Sequence, residues 1–296
     1  MVGFPSTKST KYHTRSNSLP SRPHPLFSQC DEHLTRLRDY ESTPASSTSS
    51  ISQQLSGLED LHECVEKLLL VPSIQEAFVR HCGEKWVDEL LDGSLRLLDM
   101  CSSAKDALIH TKECVRELRS AIRRRSEMTN EIKKYLASRK VVKRAIQKAL
   151  DTNKSIERKS DTTVDGNDYD TTAMVSLLKE VEATGLRMFE SLLFLISGKK
   201  TKTKSSWSIL SVMNSKREVC PEVDAEFNEF SNMDNALNSV ICQKTNKCKD
   251  TTQVSENVQN HLEKLDLSTQ DLEQTTERLF RRLIKTRVSL LNILNN

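Results

Sequence analysis

An unbroken helical periodicity runs through the middle of the chain, from Leu90 to Ile122. Apolar or small residues recur there at alternating steps of four and three, which is the heptad pattern of a coiled coil or a long bundle helix. The positions are Leu90, Ser94, Leu97, Cys101, Ala104, Leu108, Thr111, Val115, Leu118 and Ile122. Only seven glycines and seven prolines occur in 296 residues, so turns are scarce. The predicted fold is all-α, an elongated bundle of long antiparallel helices with a disordered N-terminal tail.

The chain divides into a tail and a helical domain. Residues 1–50 are rich in Ser, Thr and Pro and are predicted to be a disordered regulatory tail. Residues 51–296 are predicted to form one α-helical bundle domain, interrupted at about 159–171 by an acidic flexible linker. A second heptad run predicts the last long helix at Val254, Val258, His261, Leu265, Ser268, Leu272, Thr275 and Leu279.

Positive charge is concentrated between Arg119 and Lys159, where 14 basic residues face 4 acidic ones. The candidate anion-binding residues are Arg123, Arg124, Arg125, Lys133, Lys134, Arg139, Lys140, Lys143, Arg144 and Lys148. Three interpretations stay open: contact with the phosphates of a membrane or nucleic acid, a calmodulin-target helix, or a solvated face neutralised by the acidic C-terminal half. Nucleic acid is the least favoured partner, because Tyr135 is the only aromatic residue available for base stacking.

The sequence contains none of the common catalytic or cofactor motifs. We find no P-loop, no GxGxxG, no GxSxG, no HExxH and no EF-hand loop. His110 and Cys114 are four residues apart, a spacing that can deliver two metal ligands, but no second pair matches them. A Cys–His nucleophilic pair stays open, since such pairs meet only in space. We therefore expect no enzyme, no cofactor and no metal site.

The N-terminal tail carries one candidate docking motif. Arg15 to Pro20 has the form RSxSxP, which resembles the docking motif of 14-3-3 proteins, with Ser18 as the phosphorylated residue. Arg15, Ser18 and Pro20 are the defining positions. The alternative is a chance match in a Ser-, Pro- and Arg-rich tail, or an extended spacer.

The sequence predicts an intracellular protein, with the cytoplasm favoured over the plastid. Eight dispersed cysteines without a CxxC pair favour reduced thiols. The Ser-rich, acid-poor start also fits a transit peptide, although its prolines work against an amphipathic helix. The most apolar stretch, 186–197, contains Arg187 and Glu190 and is interpreted as a buried helix.

Several longer blocks of the chain resemble a plant-specific family, that of the proteins related to BYPASS. The blocks are residues 15–25, 85–99, 112–118, 134–140 and 279–294. This resemblance covers nearly the whole chain. It implies a plant source, an α-helical domain and a role in root and shoot development, and it supplies no catalytic or binding residues.

Composition and resemblance together predict a non-catalytic helical interaction or adaptor protein. Its expected partners are proteins bound through the helical seams, together with a 14-3-3 protein bound to the phosphorylated tail. The alternative function is peripheral binding of anionic lipid or nucleic acid through the basic helix.

Overall fold

The computed structural model describes residues 24–42, 47–80, 85–124, 128–157, 169–198, 228–243 and 251–295. These residues form eight α-helices and confirm the predicted all-α fold. The helices are α1 (Pro25–Ser42), α2 (Thr48–Leu69), α3 (Pro72–Arg80), α4 (Lys85–Arg123), α5 (Met128–Glu157), α6 (Tyr169–Ser197), α7 (Glu229–Gln243) and α8 (Thr251–Asn295).

The antiparallel pair α4 and α8 forms the axis of the bundle. The predicted seam of α4 is buried along its length, with Leu97, Leu108 and Leu118 each at most 3 % exposed. We call the end where α4 begins the lower end and the end where it finishes the upper end. At the lower end Arg287 of α8 donates to the carbonyl of Leu91, and near the upper end Arg119 pairs with Asp266 at 3.1 Å.

The other helices surround this axis. Helix α2 packs on α8, α5 and α6 pack on α4, and α7 packs mainly on α8. Helix α1 covers α2 and α6, while the short α3 closes the lower end against α8. One continuous hydrophobic core runs through all eight helices.

Local chemistry sets where several helices begin and end. The Ser47 hydroxyl accepts the Ser50 amide at 3.2 Å and caps the start of α2. Pro72 opens α3 in the first turn, where its missing N–H is tolerated. Gly198 follows α6 directly with φ 72°, the left-handed conformation in which glycine commonly ends a helix.

The predicted disordered tail is wrong for residues 25–42, because they form α1. Cys30, Leu34 and Leu37 lie on one face of that helix and are at most 1 % exposed. Their spacing of four and three is a helical signal that the Ser- and Pro-rich composition around it obscured. Within the described residues, the bundle therefore begins at Pro25 rather than at residue 51. Residues 1–23 and 43–46 lie outside the described residues.

The predicted linker at 159–171 extends too far at its C-terminal end, because α6 already begins at Tyr169. Its remaining part, 159–168, lies outside the described residues. Within the part of the chain that the structure describes, no helix combines the length and the apolarity required to cross a lipid bilayer.

Candidate anion-binding site

Helix α5 owes its position to a row of residues that face the core. Ile132, Tyr135, Val142, Ile146 and Leu150 are all buried, and their steps of three, four and seven are those of one helix face. This row packs mainly on α4, with further contacts to α6 and α7. The opposite side of α5 is consequently turned toward solvent.

Four of the predicted anion-binding residues lie on that solvent side. They are Lys133, Lys140, Arg144 and Lys148, all exposed, and we call them the basic face. At 1.5 Å rise per residue, the row extends over about 22 Å. None of the four side chains has a hydrogen bond or ion pair with another residue of the described chain. The basic face therefore presents cations that the rest of the described fold leaves uncompensated.

Two other candidates on α5 are paired within the molecule. Lys134 lies 2.9 Å from Glu117 of α4, and this carboxylate raises the pKa of the lysine by hydrogen bonding and by its charge. Lys143 lies 2.8 Å from Asp234 of α7. Both lie at the flanks of α5, so their charges are partly neutralised before any external anion approaches.

The prediction that Arg139 faces an external anion is wrong, because this side chain occupies the buried row of α5. It is 2 % exposed. Its guanidinium donates to Asp234 of α7 at 3.2 Å, to the Ile196 carbonyl at 2.6 Å and to the Thr111 hydroxyl at 3.4 Å. The Phe230 ring lies beneath it, with 5.5 Å between the guanidinium carbon and the ring centroid.

These contacts join α5 to α4, α6 and α7 at one point. A buried guanidinium is tolerated only when its donors and its charge are satisfied, which the carboxylate, carbonyl and hydroxyl do here. We call Arg139, Asp234, Thr111 and Phe230, with the carbonyl of Ile196, the Arg139 cluster. Its residues come from four separate parts of the sequence, so periodicity alone could not predict it. The one available signal was an arginine at a position of the apolar row.

The remaining candidates lie near or beyond the upper end of α4. Arg123 and Arg124 are exposed there, beside the carbonyl end of the helix, which favours cations. Arg125 lies outside the described residues, as do Arg15, Ser18 and Pro20 of the tail motif.

Among the described residues of the acidic C-terminal half, no carboxylate pairs with the basic face. Helix α8 of that half directs Asp266, Glu273 and Glu277 at cations of α4 instead. The pairs are Lys105 with Glu277, Lys112 with Glu273 and Arg119 with Asp266. Among the described acidic residues of that half, Asp234 of α7 is the one that pairs with α5, through Arg139 and Lys143.

His110 and Cys114, the pair with metal-ligand spacing, converge on one hydroxyl. Ser138 Oγ lies 2.7 Å from His110 Nε2 and 2.9 Å from Cys114 Sγ. These contacts join α4 to α5. Among the described residues, no group of three or more His, Cys, Asp or Glu side chains is arranged to hold a metal ion.

A cavity of about 310 Å³ lies between α4 and α5 beside the basic face. Lys148 of that face and Arg96 of α4 line it, together with the apolar side chains of Met100 and Ile156. Arg96 is already paired with Glu182 of α6. Of the two cations that line the cavity, Lys148 is therefore the one without a partner in the described chain.

Comparison with known proteins identifies one family. The family model described as Protein BPS1 matches residues 54–293, which is most of the chain. No curated protein and no solved structure matches the chain significantly. The matched range includes all of α3 to α7, most of α2 and nearly all of α8, and with them the whole basic face.

Proposed function

Since the chain belongs to the BPS1 family, whose membership points to a role in plant development, we propose that it is a non-catalytic helical adaptor that docks on an anionic partner through the basic face of α5. The resemblance noted in the sequence is confirmed by this membership. The action in root and shoot development belongs to the proposal.

The proposal rests on the basic face. Most cations elsewhere on the bundle axis are used within the fold, as with Arg282, which bridges Glu63 and Glu66 of α2. Lys133, Lys140, Arg144 and Lys148 have no such use in the described chain, yet they form one row on a rigid helix. A row of cations held in place attracts an anionic partner at long range and fixes its orientation.

The helical seams contribute little to this docking. The seam of α4 is buried inside the chain, mainly against α8 and α5, so its apolar residues support the fold. The surface available to a partner is the charged side of α5, which lies opposite the buried apolar row of that helix.

The adaptor proposal is tested by comparing what three forms of the full chain bind in plant extract. The first is wild type, and the second carries Lys140→Gln, Arg144→Gln and Lys148→Gln. The matched control carries Arg116→Gln, Lys264→Gln and Lys285→Gln, which removes three exposed charges on other helices. We expect the control to retain the partners of wild type and the basic-face variant to lose them. The same set of partners on all three forms would contradict the proposal.

The tail motif supports a second partner of the adaptor, a 14-3-3 protein. A phosphate on Ser18 brings about two negative charges and three acceptors to a chain that Arg15 and Pro20 already flank. A peptide covering Lys11 to Pro25 and phosphorylated at Ser18 should bind a plant 14-3-3 protein at micromolar concentration or below. Equal binding by the unphosphorylated peptide, or no binding by either, would remove this partner.

Anionic lipid is the second candidate for the basic face. The observation that favours it is Val141, which is 57 % exposed directly beside Lys140 and supplies an apolar contact at the edge of the row. Tyr135 is buried in the core, so base stacking has no support from this helix and nucleic acid stays disfavoured. If anionic lipid is the ligand of the basic face, vesicles with acidic headgroups should retain the protein and release it as the salt concentration rises.

A further inference from the structure

Two buried thiols meet where α1 packs on α2. The Sγ atoms of Cys30 and Cys64 lie 2.9 Å apart, and the residues are 0 % and 4 % exposed. Carbon atoms in van der Waals contact ordinarily keep about 3.5–4.0 Å, and sulfur is a larger atom, whereas an S–S bond measures about 2.0 Å. The two sulfurs thus already lie closer than ordinary contact, on side chains that face each other across a helix pair.

We propose that Cys30 and Cys64 are a disulfide-forming pair that covalently joins α1 to α2. This modification site is independent of the function proposed for α5. The bond would link residues 34 positions apart and close the loop between them.

The other described cysteines are placed differently. Cys101 is buried, and its sulfur donates to the Thr276 carbonyl at 3.7 Å. Cys114 bonds to the Ser138 hydroxyl, and Cys242 is exposed. Among the described residues, Cys30 and Cys64 are therefore the one thiol pair in mutual contact, and Cys101 provides a matched buried control.

The reaction requires a disulfide oxidant, for which oxidised glutathione serves. One cysteine thiolate attacks the glutathione disulfide, which breaks its S–S bond, forms a mixed disulfide and releases one glutathione thiolate. The second cysteine then attacks the mixed disulfide, forms the Cys30–Cys64 bond and releases the second glutathione. Both protein thiol protons pass to the two glutathione thiolates, so two electrons move from the protein to the oxidant.

Burial sets the rate of this reaction. Desolvation, followed by the contact with Cys64, raises the pKa of the Cys30 thiol well above its usual range, so thiolate is scarce in the closed structure. Helix α1 lies at the edge of the bundle and packs on α2 and α6. Local opening of α1 would expose the pair to an oxidant. After closure the same burial would shield the disulfide from reductants.

The bond would fix the start of the described chain on the bundle. The Leu26 carbonyl already lies 3.6 Å from Cys64 Sγ, and four residues separate the tail motif at 15–20 from Pro25, where this helix begins. A disulfide at Cys30 would keep α1 attached to α2 when the preceding tail binds a partner.

The test uses the reduced full-length chain, treated with oxidised glutathione either folded or during refolding. The products are unfolded, alkylated and mapped by peptide mass spectrometry. We expect a cross-linked Cys30–Cys64 peptide in at least the refolding sample, with Cys101 still alkylated. The oxidised protein should melt about 5 °C or more above the reduced protein, because the bond restricts the unfolded chain.

Variants separate this bond from other oxidation events. Cys101→Ser should keep both the cross-linked peptide and the shift in Tm, whereas Cys30→Ser and Cys64→Ser should lose both. Recovery of Cys30 and Cys64 as alkylated thiols in both wild-type samples would overturn the proposal. So would glutathione attached to either cysteine in place of the cross-link. The mapping on wild type needs no variant to fold.

Discussion

Arg139 shows how one residue can belong to two patterns at once. By sequence it is part of a basic run, and by position it belongs to the apolar row of α5. Arg139 lies in the buried row because Asp234, on a helix almost a hundred residues away in the sequence, supplies the counter-charge. That carboxylate could not be paired with Arg139 from the sequence, since nothing local links the two.

We predict that Asp234→Asn destabilises the fold strongly. It leaves the Arg139 guanidinium buried without its carboxylate, which costs about 3–5 kcal/mol. Lys143→Gln is the control, because Lys143 meets the same carboxylate from a 38 % exposed position, and its loss should cost at most about 1 kcal/mol. Urea unfolding followed by circular dichroism measures both. Equal effects of the two variants would mean that burial of Arg139 does not govern this cluster.

His62 is the second residue whose environment decides its chemistry. Burial, together with the nearby charge of Arg282, lowers its pKa from 6.5 to about 4, and neither ring nitrogen has a partner in the described chain. Between about pH 4 and pH 6.5, His62 is therefore protonated in the unfolded chain and neutral in the folded chain. His62 therefore lowers stability as pH falls from about 6.5 to about 4, by about 3 kcal/mol in full.

We predict that His62→Leu removes this part of the pH dependence. The free energy of unfolding of wild type should fall more steeply than that of the variant between pH 6.5 and pH 4. At pH 7 the variant should be at least as stable as wild type, because it no longer buries two unsatisfied nitrogens. Parallel pH profiles for the two proteins would show that His62 is not the titrating group.

At the scale of elements, the α4 heptad is predicted correctly and the α8 heptad only in part. Val258, Leu265, Leu272, Thr275 and Leu279 are buried as expected, whereas His261 and Ser268 are only partly buried. The core positions beside them belong to Leu262 and Thr269, each one residue later in the helix, and Thr276 is buried next to Thr275. The strict heptad spacing placed the seam at His261 and Ser268 and so missed these neighbouring positions.

Threonine fits such a seam when its hydroxyl bonds within its own helix. Thr269 Oγ1 donates to the Leu265 carbonyl at 2.6 Å, and Thr286 does the same to Arg282 at 3.2 Å. Their methyl groups then remain available for packing. Thr276 differs, because its buried hydroxyl has no partner in the described chain.

This difference gives a matched pair of variants on α8. Thr276→Val should raise the free energy of unfolding by about 1 kcal/mol, since it removes an unsatisfied buried hydroxyl. Thr269→Val removes a satisfied one and should leave stability unchanged or slightly lower. Both are measured by urea unfolding at pH 7. A lower stability for Thr276→Val than for Thr269→Val would contradict this account of the seam.

At the scale of the whole molecule, the fold class follows from the sequence, while the arrangement of the charges does not. Alternating steps and scarce turn residues suffice to predict long antiparallel helices. Which cations remain exposed depends on which helices are neighbours. Among the described residues, helix α8 directs its carboxylates at α4 and leaves the basic face of α5 uncompensated. Charge counts along the chain cannot supply this outcome, because it depends on the topology.

The central claim is that the basic face is a binding surface for anions, and vesicle co-sedimentation tests it most directly. Wild type should bind vesicles of phosphatidylcholine and phosphatidylserine at about 50 mM salt and release them as salt rises. The variant with glutamine at 140, 144 and 148 should bind roughly a hundredfold more weakly, at about 1 kcal/mol for each cation lost. The control with glutamine at 116, 264 and 285 should bind like wild type. No retention of wild type at low salt, or equal binding by the two triple variants, would contradict the claim.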